Sequence, residues 1–152
     1  MSSQDQLDRE CGIEVVYIRA AKFGKKVRCT WWFQDKDPRN KAKTLPGKVQ
    51  TVNCGLLFVL REVLKAVRKD VETMHMEHIP ILFVRTDATY IQEGVDTHLY
   101  KWRRNKWCNS RSKKIKNHIF WQSVNYELTK LEELGVGVRV QHTKLPKKCI
   151  RF

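Results

Sequence analysis

Apolar positions along the chain change their period several times, and each change marks an element. Ile13-Glu14-Val15-Val16-Tyr17-Ile18-Arg19 is short, β-branched and nearly continuous in apolar character, which predicts a buried central strand. A basic turn at Lys22-Phe23-Gly24-Lys25-Lys26 separates it from the β-rich run Val27 to Phe33, so the two runs predict a hairpin. The polar stretch Asp35 to Lys43, with Pro38 inside it, predicts a loop. Leu45 to Thr51 reads as a third strand, where Pro46 points to an edge or a strand start. From Asn53, the expected N-cap, Leu56, Leu57, Leu60, Val63, Leu64 and Val67 recur at three and four, with Arg61, Glu62, Lys65 and Arg68 on the other face. This is a long amphipathic helix, and Lys69 and its successors lead into a loop rich in Met and His. Ile79 to Thr86 reads as a second buried strand and leaves Asp87 at a strand-to-helix junction. A late helix carries Trp121, Val124, Leu128 and Leu131 on one stripe and ends at Gly135, ahead of the strand Val136 to Val140.

The order strand, long helix, buried strand requires a crossover, and hence parallel pairing of the first and fourth strands. The expected fold class is α/β, a five-stranded mixed sheet flanked by helices. A chain of 152 residues predicts one domain, placed at residues 11–142 between a loose polar tail at 1–10 and a basic tail at 143–152. No apolar run approaches the roughly 18 residues that span a bilayer, and the polar start has no signal-like pattern. No membrane partner is expected, and the location is expected to be intracellular, nuclear or cytoplasmic. Cys11, Cys29, Cys54, Cys108 and Cys149 are scattered and never spaced as C-x-x-C, so neither a disulfide framework nor a zinc ribbon is expected. His75 and His78 could share a helical face, but no third ligand lies at zinc spacing.

Charge sharpens this picture. Thirty Lys and Arg against sixteen Asp and Glu give a formal net charge of +14, which calls for a polyanionic partner. Between Thr97 and Tyr126 there is no Asp or Glu, while Lys101, Arg103, Arg104, Lys106, Arg111, Lys113, Lys114 and Lys116 are cationic. Tyr100, Trp102, Trp107 and Trp121 are interleaved with them, and flat rings beside cations suit a sugar-phosphate backbone. Trp121 lies on the apolar stripe of the late helix and is expected in the core; Trp102 is expected on the binding surface. The implied partner is nucleic acid.

An ordered series of motifs makes the picture more specific. Thr86-Asp87-Ala88-Thr89-Tyr90-Ile91, then Lys101-Trp102-Arg103-Arg104-Asn105-Lys106-Trp107, then Lys116-Asn117 with Trp121-Gln122 behind it, resembles the cellular type 1 ribonuclease H domain. Leu45-Pro46-Gly47 followed by Gln50-Thr51 is similar to that family's approach to its first long helix, and the resemblance covers about residues 12 to 142. It implies cleavage of the RNA strand of an RNA–DNA hybrid by acidic residues that hold two Mg²⁺ ions. The family's first Asp falls at Arg19, its helical Glu at Leu56, or at Gly55 if the register slips by one, and its third acid at Asp87. The fourth belongs to a C-terminal helix expected to be missing here. The resemblance therefore implies that the two-Mg²⁺ site is lost, that no cofactor is bound and that the domain is a catalytically inactive pseudoenzyme. Asp87 is then expected to cap the following helix or to pair with Arg19. Glu14 precedes Arg19 by an odd number of residues and should point to the other face of its strand.

The binding apparatus implied by the same resemblance is more complete. Thr51 and Asn117 match the pair that holds a phosphate of the DNA strand. Tyr90 and Trp102, with His98 where some members have Trp, match the aromatic channel that seats the backbone. Arg103, Arg104, Lys106, Trp107, Lys113 and Lys114 complete the expected nucleic-acid-binding set on the protrusion. The expected function is binding of RNA–DNA hybrid or duplex RNA. The alternative is a protein-interaction scaffold that presents Cys54-Gly55-Leu56-Leu57-Phe58 to a partner in an RNA-processing or silencing complex. A third reading is an active nuclease with a rearranged site.

Overall fold

A computed structural model describes residues 12–73 and 81–151. The elements are β1 (Ile13–Phe23), β2 (Lys26–Trp32), β3 (Lys41–Thr44), α1 (Val52–Thr73), β4 (Ile81–Thr86), α2 (Thr89–Glu93), a π-helical segment (Gly94–His98), α3 (Leu99–Arg104), α4 (His118–Glu133), β5 (Gly137–His142) and α5 (Lys147–Arg151). They form one five-stranded sheet of order β3-β2-β1-β4-β5. β1 pairs antiparallel with β2 and parallel with β4, which in turn pairs parallel with β5. The parallel β1–β4 pair inferred from the crossover is thus present, and the α/β mixed sheet is the observed fold.

Alternation along β1 decides the layers. Val16 and Ile18 point to the α1 side with Val27, Cys29 and Trp31 of β2 and Leu82 and Val84 of β4, all buried. Val15, Tyr17 and Arg19 fall on the opposite face. α1 covers the first face with an almost unbroken run from Cys54 to Leu60, and α4 packs beside it through Trp121, Val124 and Leu131. The two helices are clamped by Arg68, whose Nε donates to Glu127 Oε2 at 2.6 Å. That hydrogen bond to Glu127 is the main cause that raises Arg68 above its ordinary range.

Several boundaries differ from the sequence reading. The hairpin turn is only Gly24-Lys25, with Gly24 at φ +59°, so both strands run further than the basic residues suggested. The third strand is Lys41–Thr44, inside the stretch read as loop, while 45–51 is no strand. There Gln50 donates to the Leu45 and Gly47 carbonyls at 2.7 and 2.9 Å and accepts the Val27 N–H at 2.8 Å, tying the segment into a loop. Thr51, not Asn53, caps α1: its Oγ1 accepts the Cys54 N–H at 3.2 Å, and its carbonyl accepts the Gly55 N–H at 3.0 Å. α1 also continues to Thr73, past the start of the loop read at Lys69. The segment read as a basic tail contains α5, which Leu145 and Cys149, both buried, anchor beside β1 and β2. The tail at 1–10 and the pair His75 and His78 lie outside the described residues. Among the described residues no helix is long and apolar enough to cross a membrane.

Burial has a titration consequence. The Cys29 and Cys149 thiols are pushed up from 9.0 to about 11, burial being the main cause in both. A folded-state pKa above the unfolded value means that the contribution is complete below pH 9 and is lost as pH rises toward 11. Urea midpoints are expected to fall across that window, and Cys29→Ala is expected to flatten the fall. An unchanged slope in that variant would show that the thiol does not report the core.

Candidate nucleic-acid interface

The site starts at the N-terminus of α1. Thr51 and Asn117, far apart in sequence, are joined through one residue between them: Cys54 donates its backbone N–H to Thr51 Oγ1 and its Sγ to Asn117 Oδ1 at 3.2 Å. Asn117 stands at φ +64°, a conformation that Asn tolerates better than most side chains, and it does not cap its own helix α4. Its side chain is instead turned toward Tyr90, with Nδ2 3.4 Å from the hydroxyl oxygen. Thr51, Val52 and Asn53 are exposed. The hydroxyl, the carboxamide and the positive end of a 22-residue helix therefore occupy one corner, a combination suited to a phosphate.

An aromatic ladder leads away from this corner. Tyr90 accepts a hydrogen bond from Trp121 Nε1 at 3.0 Å, and their ring centroids lie 5.7 Å apart. Trp121 meets Trp102 at 5.1 Å, and Trp102 stacks on His98 at 5.5 Å with 27° between the planes. Trp121 is fully buried, as its place on the apolar stripe required. Trp102 is half-buried: one edge rests on Trp121 in the core, and the His98 side opens to solvent.

The segment 105–116 is a built protrusion. Trp107 N–H donates to the Trp102 carbonyl and Ile115 N–H to the Trp107 carbonyl, each at 2.9 Å, and Cys108 bridges to Lys114. Asn109 Oδ1 accepts the N–H groups of Arg111 and Lys113 at 2.9 and 3.1 Å. Lys106, Trp107 and Ser112 all have positive φ although none is glycine, a conformational cost that the loop's hydrogen bonds offset. Lys106, Arg111, Lys113 and Lys114 are exposed. Trp107 is half-buried against the core. Arg103 is directed to Asn125 Oδ1 of α4, and Arg104 lies 4.4 Å from the Tyr100 ring. Among the described residues, no cation from Lys101 to Lys116 is in an ion pair with a carboxylate.

The positions matched to metal ligands are arranged differently from that expected set. Leu56 is 2% exposed in the core, and Gly55 is pressed on the Val27 and Ala20 side chains. Arg19 is half-buried on β1. Asp87 neither caps α2 nor pairs with Arg19 among the described residues. The cap position belongs to Ala88, whose N–H donates to Thr86 Oγ1 at 3.2 Å, and the Asp87 carboxylate is exposed beyond the strand end. Glu14 is turned to the other face, as its parity required, and pairs with Arg39. Two Mg²⁺ ions need several carboxylates to offset their mutual repulsion. Of Arg19, Gly55, Leu56 and Asp87, the positions matched to metal ligands, Asp87 alone carries one, and among the described residues no three His, Cys, Asp or Glu side chains form a metal-holding group. The scaffold surface proposed for Cys54 to Phe58 is not a surface either, because all five residues are buried in α1.

Sequence reasoning missed Cys54 as the bridge between Thr51 and Asn117, and Gly94 as the gap that admits Trp121. Arg85 was also missed, because the apolar run from Ile81 to Val84 reads as buried and gives the arginine after it no direction.

The RNase H family model matches residues 14–144. The ribonuclease H of Rickettsia canadensis (strain McKiel) is 38% identical over 47 residues, 31% of this chain and 30% of that protein. The ribonuclease H of Rickettsia bellii (strain RML369-C) is 33% identical over 69 residues, 45% of this chain and 39% of that protein. The matched segments thus span only about a third of the curated relatives' length. Among solved structures, LC11-RNase H1 in complex with RNA/DNA hybrid superposes with a TM-score of 0.57 at 11% identity, covering 91% of this chain and 89% of that one. These findings overturn the expectation that the chain is not an enzyme. The family model and the relatives bear an enzyme's name, and substitutions at single positions do not establish inactivity.

Proposed function

This chain belongs to the RNase H family, and from that premise we propose that it binds RNA–DNA hybrid along the face running from Thr51 and Asn117, over Tyr90, Trp102 and His98, to the basic protrusion. The observation that supports this reading is the Cys54 bridge, which links Thr51 and Asn117 beside the aromatic ladder. A strand seated there places its next contacts on rings and unpaired cations, so stacking and charge neutralisation act together.

Anisotropy titration of labelled hybrid across a salt series tests it. Trp102→Ala is expected to weaken binding by about 1–3 kcal/mol with little change in salt slope, the effect of one lost stacking ring. Replacing Lys113 and Lys114 together is expected to lower the slope by roughly two units, since each neutralises a phosphate. Release of labelled RNA fragments is followed in the same samples with Mg²⁺ present, which scores turnover separately from binding. Hybrid affinity no greater than that for duplex DNA, or a salt slope insensitive to Lys113 and Lys114, would remove the reading.

A further inference from the structure

The face of the sheet turned away from α1 carries a charge arrangement that the interface above does not use. Tyr17, Arg85 and Gln141 are register partners across β1, β4 and β5. Arg85 is held crosswise in this row: its Nε donates to Gln141 Oε1 at 2.9 Å and its Nη1 to the Tyr17 hydroxyl at 3.1 Å, with the guanidinium 5.8 Å from the Tyr17 ring. Every one of these partners is neutral. Arg85 uses two of its five N–H donors, is half-buried and has no carboxylate in ion-pair range among the described residues.

Arg19 stands two residues beyond Tyr17 on the same face of β1, at the same end of the sheet as the first turn of α1, where Gly55 presses on its neighbour Ala20. It too is half-buried, and among the described residues its side chain makes no hydrogen bond or ion pair. Arg28 lies diagonally across on β2, opposite Ala21. Among the described residues, the exposed carboxylate of Asp87 pairs with neither Arg19 nor Arg85. A half-buried guanidinium without a counter-charge forfeits part of its hydration, whereas an oxyanion would satisfy its open N–H groups with charge-assisted hydrogen bonds.

We propose that Arg19, midway along β1, and Arg85, near the carboxyl end of β4, form a second phosphate site, which takes a backbone phosphate of the bound hybrid directly on guanidinium groups. The inference rests on the hybrid-binding reading, and deepens it by adding a contact on the other side of the strand ends from Thr51 and Asn117.

The test is hybrid anisotropy on the full chain with Arg19→Gln, Arg19→Lys and Arg85→Gln, each checked for a wild-type melting profile. Arg19→Gln is expected to lower affinity about tenfold, the scale of a lost charge-assisted hydrogen bond, and to reduce the salt slope by about one unit. Arg19→Lys is expected to restore the slope. Exchange of Mg²⁺ for EDTA at constant ionic strength is expected to leave wild-type affinity unchanged. Unchanged affinity and slope in a folded Arg19→Gln variant overturn the second site and leave the hybrid reading standing, as does binding that requires Mg²⁺. A wild-type chain that binds no hybrid overturns both. Arg85→Gln covers the case in which Arg19→Gln fails to fold, with the same fall in affinity and slope expected.

Discussion

Arg39→Ala is expected to cost about 3–5 kcal/mol of folding stability, the penalty of breaking an ion cluster that has been taken out of water. Arg39 lies in the loop between β2 and β3. Its guanidinium donates to Glu14 on β1, to Asp37 at 2.8 Å and to Asp70 on α1 at 3.0 Å, and it stacks over Phe33 at 3.8 Å. Burial alone would pull Arg39 down, but Asp37 and Glu14 outweigh it and hold the group above its ordinary range. One side chain thus ties the loop, the central strand and the long helix together, and the Glu14 and Asp37 side chains are 9% and 5% exposed. Removing the cation leaves three carboxylates facing one another in a poorly solvated place. The urea midpoint measures the loss. Arg39→Lys is expected to recover only part of it, because an ammonium cannot span three partners in a plane. A loss below about 1 kcal/mol, the value of an exposed pair, would show that the cluster is solvated.

The elements that could be read from sequence are those in which one periodicity dominates. β1 and β4 bury alternate residues on one face while the other keeps Val15, Tyr17 and Phe83 half-covered, so their apolar runs are nearly continuous. α1 repeats at three and four from Leu60 to Val67. Where a side-chain hydrogen bond decides the backbone instead, pattern fails. Gln50 turns a β-rich stretch into a loop, and Thr51 takes the cap from Asn53 through a hydroxyl at hydrogen-bonding distance. β3 consists of Lys, Ala, Lys and Thr, a solvated edge with no hydrophobic alternation to betray it.

The interface divides in the same way. Thr51, Asn117, Tyr90 and Trp102 were legible because the chain resembles a family whose motifs carry them, and the folded chain brings them together through Cys54 and Trp121. Arg103 and Arg104 were grouped with the other cations because charge is visible in sequence while direction is not. On a helix surface, Arg103 reaches α4 and Arg104 folds back on Tyr100 four residues earlier. Arg85 lay hidden in a strand read as merely buried, since a cation held by neutral groups on an open sheet face has no signature in composition.

Gly94→Ala is expected to destabilise the fold by about 3 kcal/mol and to weaken hybrid binding along with it. A Cβ at Gly94 would fall within the Trp121 ring, and Trp121 is fully buried with no free volume to retreat into. Gly94 opens the π-helical segment, so the extra residue in that turn and the missing side chain together make the slot in which the indole sits. The consequence reaches the interface because the displaced ring supports both neighbours: its Nε1 holds the Tyr90 hydroxyl and its face carries Trp102. Shifting it loosens Tyr90, hence Asn117, and tilts Trp102 away from His98. A smaller ring should relieve the clash, so Trp121→Phe in the Gly94→Ala background is expected to cost less than the sum of the two single changes, a positive coupling between residues in contact. Thermal melts and hybrid titrations of the four proteins of that cycle measure it. Strict additivity in stability would show that the slot is not what limits position 94, and intact binding in a destabilised Gly94→Ala variant would separate the aromatic ladder from the core that supports it.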